Sequence, residues 1–355
     1  MPSIFNATSS AGLLSAGLFY GPASPLQGPG QGIWTAEGHG LAPAHGAAAA
    51  RPDWQSRQAL LGQAQAQLDS LPPGAQREQL QSDLNRYRDE TMALEHARLA
   101  ANVYTLETPP VGWTNVSNDR ARLAELGLTP EQLQIPGTSF RAQVYAPDPE
   151  VLGSDMKVTV VFQGTTGTWA DWKNNLFQGL NIESPYYRQA VDIGNTLYRS
   201  GVDVHLVGHS LGGGLASAAA HASGLPATTF NAAGLHKKTV ERYGGLSDVP
   251  PESVPIKAWY VDGEILDAAQ HQSAKGTAGS FATGTSMGGP KVGLLAAAGK
   301  VLLAAAMPDV VGERMALTGG TKGLIDSHKM DEVQALLVER LRGSEHVLRE
   351  QLRWP

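Results

Sequence analysis

The sequence contains no cysteine, which excludes disulfide bridges, thiolate metal sites and cysteine nucleophiles. A cysteine-free chain tolerates an oxidising or a reducing compartment, so location is left open. It has no excess of basic charge: 27 Lys and Arg stand against 33 Asp and Glu, a formal net charge of −6. The lack of a basic stripe to neutralise phosphates argues against nucleic acid as a partner. Long hydrophobic runs are missing as well. The longest, residues 292–307, is rich in alanine and interrupted by Gly299 and Lys300, and falls short of the roughly 20 residues that span a bilayer. Met1-Pro2-Ser3-Ile4-Phe5 has no basic n-region and no sustained apolar core, so no secretory signal is expected. No His/carboxylate spacing resembles a metal site, and no cofactor is required by the chemistry argued below. Internal repeats are absent.

What is present is a chain of 355 residues, 42% hydrophobic and 17% charged, long enough for a large core in one or two domains. Residues 1–50 are dominated by Gly, Ala, Pro and Ser, which predicts a poorly ordered arm or a peripheral wrap. Residues 53–70 and 73–103 show helical periodicity. Leu60, Leu61, Ala64 and Leu68 share one face, and Leu84, Tyr87, Met92 and Leu94 another, with Gln, Glu and Arg opposite. Leu71-Pro72-Pro73-Gly74 separates the two. The span 51–108 therefore reads as a helical hairpin packed on a catalytic domain, residues 109–355.

Beyond Pro109 the pattern changes to α/β. Residues 139–145 alternate through Phe140, Ala142 and Val144, and 157–162 form a continuous apolar strand of the kind buried on both faces. Ser184-Pro185 opens a helix to about residue 199, with serine as N-cap and proline in the first turn. A strand before Ser210, a helix after it, strands at 227–231 and 256–261 and a final helix over 330–341 complete the order. Val333, Leu336, Leu337 and Leu341 give that last helix its apolar face. The alternation predicts an α/β fold with a mostly parallel sheet covered by helices on both faces.

Two stretches match GxSxG: Gly208-His209-Ser210-Leu211-Gly212 and Gly284-Thr285-Ser286-Met287-Gly288. With 41 glycines in the chain, roughly 0.3 matches arise by chance, so context must decide. Only Ser210 follows an apolar run, 204–207, and opens a small-residue helix, 213–222: the strand, sharp turn and helix that lift a serine hydroxyl above a sheet as a nucleophile. A serine hydroxyl needs a base, and the base an orienting acid. In the chain order Ser, acid, His, the base falls late. His328 fits best, in a loop before the last helix, with His271 as rival; His346 reads as solvated, and His205 and His221 as ordinary polar positions. His209, inside the turn, reads as a packing residue. The acid should follow strand 256–261, where Asp262, Glu264 and Asp267 crowd together; Glu264 is preferred and Asp262 is the close alternative. The oxyanion needs backbone donors set in place beforehand. One is the N–H of Leu211. The other falls in the turn Phe162-Gln163-Gly164-Thr165-Thr166-Gly167-Thr168, where Thr165 offers an N–H and a hydroxyl, although Gly and Thr also make plain turns.

Val160-Val161-Phe162-Gln163-Gly164-Thr165, then Asp171-Trp172, Asn175-Leu176 and Gly208-His209-Ser210-Leu211-Gly212-Gly213 resemble the class 3 lipase family. That family carries an apolar strand ending in Phe-Arg-Gly-Thr/Ser, a downstream Trp and Asn/Asp-Leu, and the GHSLGG elbow. Here Gln163 stands in place of the Arg. The resemblance, over about residues 140–328, implies an α/β-hydrolase fold and assigns Thr165 to the oxyanion Ser/Thr. Its Asp-x-Val-Pro acid loop is matched only in outline by Glu264-Ile265-Leu266, and His328 matches by order and position. Gly112-Trp113, Phe230-Asn231-Ala232-Ala233-Gly234-Leu235 and Tyr260-Val261-Asp262-Gly263-Glu264-Ile265-Leu266 are similar to bacterial lipase-like proteins, often delivered effectors that act on phospholipids. That similarity implies export by a dedicated secretion system, contact with a membrane surface and an immunity protein as partner.

The expected function is hydrolysis of lipid acyl esters by a phospholipase or lipase with a Ser210, His328 and Glu264 (or Asp262) triad and a Thr165/Leu211 oxyanion hole. The competing expectations are a small-ester esterase or acyltransferase using the same chemistry, and a non-catalytic binding protein of the same fold. Residues 276–290, rich in Gly, Ser and Thr, precede the apolar 292–307. The insertion 271–312 is therefore either a lid or interfacial helix or a buried Ala-rich core helix.

Overall fold

The computed structural model describes residues 51–165, 184–236, 238–264, 266–267, 310–320, 322–323 and 326–352. The arm at 1–50, the pairs Asp171-Trp172 and Asn175-Leu176, His271, Ser286 and nearly all of the insertion 271–312 lie outside the described residues.

Seven strands among the described residues form one sheet in the order β1-β2-β3-β4-β5-β6-β7. They are β1 Trp113–Asn115, β2 Ala142–Pro147, β3 Thr159–Phe162, β4 His205–His209, β5 Ala227–Phe230, β6 Ile256–Val261 and β7 Glu313–Leu317. The first two pairings are antiparallel and the remaining four parallel. This is the mostly parallel α/β-hydrolase sheet that the strand and helix order predicts. Strand β2 starts at Ala142 rather than residue 139 and runs on to Pro147, because its partner β1 extends the ladder past Tyr145.

The sequential strand order decides which helices cover which face. Each parallel step moves in the same direction, so right-handed crossovers put their helices on one side of the sheet. Pro185–Ser200, Leu211–Ser223 and the short Thr239–Arg242 are those helices. Ser184 caps the first of them by accepting from the Tyr186 N–H at 3.3 Å. Val160, Phe162, Leu206 and Ala227 point into this layer, against Ile193, Leu197, Leu215 and Ala219. The opposite face is covered by helices that precede and follow the strands: α1 Pro52–Ser70, α2 Ala75–Thr105 and the final helix Met330–Leu352. Val161, Val207, Phe230, Trp259 and Val261 pack there with Leu84, Tyr87, Leu94 and Leu337. Strand β3 thus buries both of its faces, at about 1.5–3 kcal/mol per large apolar side chain. The final helix runs eleven residues past 341, because Leu348 and Leu352 continue its buried face beyond Gly343. Among the described residues no helix is long and apolar enough to cross a membrane.

Polar groups fix the register of the covering layer. The Arg51 guanidinium grips buried Glu95 through two bonds, of 2.7 and 2.9 Å, and Arg340 Nε donates to buried Glu90 at 2.7 Å. Glu95 has a second partner in Arg98, but losing Arg340 would strand the buried charge of Glu90, at a cost of about 3–5 kcal/mol. Further along α2, His96 stacks on His205 of β4 with ring centroids 4.2 Å apart. The Thr228 hydroxyl bridges them, 3.1 Å from His96 Nδ1 and 2.9 Å from His205 Nε2. Burial pushes His96 down from 6.5 to about 3. Burial, then the neighbouring His96, Lys157 and Lys257, holds His205 well below its ordinary value.

These depressed values give a pH prediction. Between the folded and unfolded pKa the unfolded chain binds more protons, so stability falls as pH drops below about 6.5 and these rings contribute nothing above it. Each buried neutral ring adds about 1.4 kcal/mol per pH unit to that slope. In urea titrations between pH 6 and 5, His96→Leu should lose one ring's share of the wild-type slope. An identical slope in the two proteins would refute the account.

Candidate active site

Strand β4 ends at His209 and the next helix begins at Leu211, so Ser210 makes the whole turn alone. It does so at φ 58° and ψ −126°, a left-handed conformation that costs a non-glycine residue on the order of 1–3 kcal/mol. The surroundings enforce it: Ser210 N–H donates to Phe230 O at 3.0 Å, and Ser210 O accepts from Gly213 N at 3.0 Å and Ala233 N at 2.9 Å. The motif glycines are required by space. A Cβ on Gly208 would strike the Gly212 carbonyl, and one on Gly212 would strike the Phe162 carbonyl. The helix therefore sits directly on the end of β3, with Gly164 close against His209 and Gly212, the residues that flank the Ser210–Leu211 step.

His328 lies in the turn before the final helix, buried. Its Nδ1 is 2.6 Å from Glu264 Oε2. A carboxylate oxygen accepts, so Nδ1 carries a proton, and in the neutral ring the lone pair lies on Nε2. Glu264 is held in turn: Oε2 also accepts from Leu266 N at 3.0 Å and Oε1 from Asp267 N at 2.9 Å. The other two carboxylates are accounted for elsewhere. Asp262 is exposed, and Asp267 is engaged by Arg314 at 2.7 Å and by the Gly263 N–H at 3.1 Å. The structure thus brings Glu264, not Asp262, to His328. Exposed His346 pairs with Glu350 on the final helix, and His221 lies half-buried on the helix after Ser210.

Three further residues complete the arrangement, and the sequence offered little sign of them. His209 does more than pack. Its Nε2 is 2.8 Å from the His328 carbonyl, and the two rings lie 4.9 Å apart. A carbonyl only accepts, so His209 carries its proton on Nε2. Burial, with a smaller effect from His328, pushes His209 down to about 3. The ring is therefore neutral, and its Nδ1 accepts from the Tyr104 hydroxyl at 2.9 Å. Burial pushes that hydroxyl's pKa up, and its oxygen accepts from the Gly164 N–H. Asn231, at φ 41°, donates through Nδ2 to the carbonyls of His328 at 3.0 Å and Ser327 at 3.2 Å and accepts from Val261 N at 2.9 Å. One relay thus runs from the Gly164 amide through Tyr104 and His209 to the backbone of His328. Tyr104→Phe should lower kcat about tenfold with little change in KM, as expected for the loss of one buried hydrogen bond. An unchanged kcat would show that the relay does not position the site.

Thr165 Oγ1 is buried and has no hydrogen-bond partner among the described residues. The Leu211 N–H is among the first donors of its helix, which lack an acceptor four residues back. A serine on a strained turn, an imidazole oriented by a carboxylate, and two donors at a helix start and a glycine turn can support acyl transfer through a serine nucleophile.

The comparisons with known proteins agree with this chemistry. A family model for phospholipase-like proteins, the Tle-like phospholipase domain, matches residues 95–323, a range that holds Tyr104, Thr165, Ser210 and Glu264 and ends just before His328. The chain is also similar to an extracellular phospholipase A1 of Serratia liquefaciens, 36% identical over 149 residues, which are 42% of this chain and 44% of that protein. The match thus spans less than half of the relative's length. With most of its length matched by the family model, the chain belongs to the Tle-like phospholipase domain family.

Proposed function

We propose that the protein is a serine hydrolase that cleaves an acyl ester of a phospholipid. Ser210 Oγ attacks the acyl carbonyl while His328 Nε2 takes the hydroxyl proton. Glu264 keeps the ring in the required tautomer and stabilises the imidazolium. Negative charge on the former carbonyl oxygen meets the Leu211 N–H and the donors of Thr165. On collapse His328 gives its proton to the departing glycerol oxygen, which releases a lysolipid and leaves the acyl group on Ser210. Water, deprotonated by the same His328, then attacks the acyl carbon, and the fatty acid departs as the proton returns to Ser210.

The observation that carries this reading is the 2.6 Å contact between Glu264 and His328, made by an imidazole whose backbone is fastened to His209, the neighbour of Ser210. Family membership and the name of the Serratia relative support phospholipid as the ester. The test is fatty-acid release from phospholipid, triacylglycerol and short p-nitrophenyl esters by wild type beside Ser210→Ala. Phospholipid turnover that depends on Ser210 is expected. Turnover of short esters alone would favour the small-ester esterase, and no turnover of any ester would favour the binding protein.

A further inference from the structure

A cleft of about 280 Å³ opens at the carboxyl end of β3, lined by Gln134, Thr138, Ser139, Arg141, Gln163 and Tyr104 among others. It adjoins the site through two residues already described. Tyr104 touches His209, and Gln163 immediately precedes the Gly164–Thr165 turn. The backbone explains the position of Arg141: its carbonyl accepts from the Gln163 N–H at 3.0 Å, so antiparallel pairing places it beside Gln163 at the sheet edge. The carboxyl edge of parallel strands is where α/β sheets bind their ligands.

The polar groups of this cleft divide into two kinds. The neutral hydroxyls are engaged locally: Thr138 donates to Ile135 O at 2.8 Å, Ser139 meets Tyr186 Oη at 3.0 Å, and Tyr104 serves His209. The half-buried Arg141 guanidinium has no carboxylate partner among the described residues. Gln163 is buried, 6% exposed, and its Oε1 has no hydrogen-bond partner among the described residues. A guanidinium with no carboxylate partner, beside a buried acceptor with no donor, both among the described residues, suits an anion that also carries a hydrogen-bond donor. A guanidinium fork suits phosphate oxygens, and the polar lining does not suit an acyl chain.

We infer that this cleft receives the phosphodiester headgroup of the substrate, with Arg141 on the phosphate and Gln163 on a headgroup hydroxyl or ammonium. This rests on the phospholipid-hydrolase reading above and makes Arg141 a specificity residue. It is what separates a phospholipid from a neutral glyceride bearing the same acyl esters.

The experiment measures kcat/KM on phosphatidylglycerol and on diacylglycerol of the same chains in mixed micelles. Arg141→Ala should lower the ratio of the two about 30-fold, the scale of a pair of charge-assisted hydrogen bonds, and Arg141→Lys should retain part of it. A ratio within twofold of wild type would overturn the inference. A second arm needs no catalysis: calorimetry of sn-glycerol 3-phosphate and of inorganic phosphate on the Ser210→Ala protein. Glycerophosphate should bind the more tightly and lose its binding when Arg141→Ala is added. Equal binding of both anions would mark a free-phosphate site and overturn the headgroup assignment. Should wild type cleave neither lipid, the hydrolase reading fails, while the calorimetry still decides whether Arg141 holds a glycerophosphate.

Discussion

Ser210→Ala should lower kcat on every ester substrate by a factor on the order of 10^5–10^6, the scale of losing a serine nucleophile from a triad, with KM changed by no more than about threefold. The substitution is unusually clean here. Serine and alanine both carry a Cβ, so the strain at φ 58° is the same in each, and the backbone bonds to Phe230, Gly213 and Ala233 do not involve the side chain. Circular dichroism and the urea midpoint should therefore match wild type, which assigns the lost rate to the missing hydroxyl. Fatty-acid release from phospholipid vesicles is the measurement. A variant that kept more than about one percent of wild-type activity would remove Ser210 from the chemistry, since a residual hole-and-binding effect is far smaller.

Glu264→Gln is expected to cost between about a hundredfold and ten-thousandfold in kcat, by analogy with amide replacement of a triad acid. Which end of that range applies depends on how the amide settles. The carboxylate accepts from three N–H groups: His328 and Leu266 on Oε2, Asp267 on Oε1. A glutamine can keep its oxygen toward His328 and Leu266 only by turning its NH2 against the Asp267 N–H, a donor facing a donor. The alternative flip faces His328 with an NH2, forces the proton to Nε2 and removes the lone pair that accepts from serine. The first orientation preserves the tautomer and loses only the negative charge; the second disables the base. Asp262→Asn, two residues away and exposed, is the control. If it cost as much as Glu264→Gln, the assignment of Glu264 would be wrong. Rates on a soluble short ester check this without the complication of an interface.

The sequence made some of this plain and hid the rest for physical reasons. Buried parallel strands read as apolar runs, so β3 and the run into β4 were visible, as was the elbow at Ser210, where a strand, glycines and a helix coincide locally. Strand β1 has three residues, too few for a period. Strand β7 reads Glu-Arg-Met-Ala-Leu; its N-terminal half is exposed or half-buried, so burial left little mark on its composition. The last helix outran its expected end because Gly343 and the charges around it interrupt an apolar face that resumes at Leu348. The acid was ambiguous because three carboxylates fall within six residues of one turn, and only the curl of that turn decides which meets an imidazole 64 positions away. Tyr104, His209 and Asn231 were unreadable as site residues for a related reason. Their partners lie about a hundred residues off along the chain, and nothing local distinguishes a tyrosine that ends a helix from one that anchors a site.

The covering layer on the second face of the sheet has a practical corollary. The family match begins at residue 95, in the middle of a helix that runs from Ala75 to Thr105. A protein trimmed to that boundary would keep Ser210, Glu264 and Tyr104 while stripping Leu84 and Tyr87 from Val207, Phe230 and Trp259. The greasy side of the sheet would then face water and invite clumping. The shortest piece worth expressing therefore starts near Arg51, where the guanidinium that grips Glu95 ties the first helix to the second.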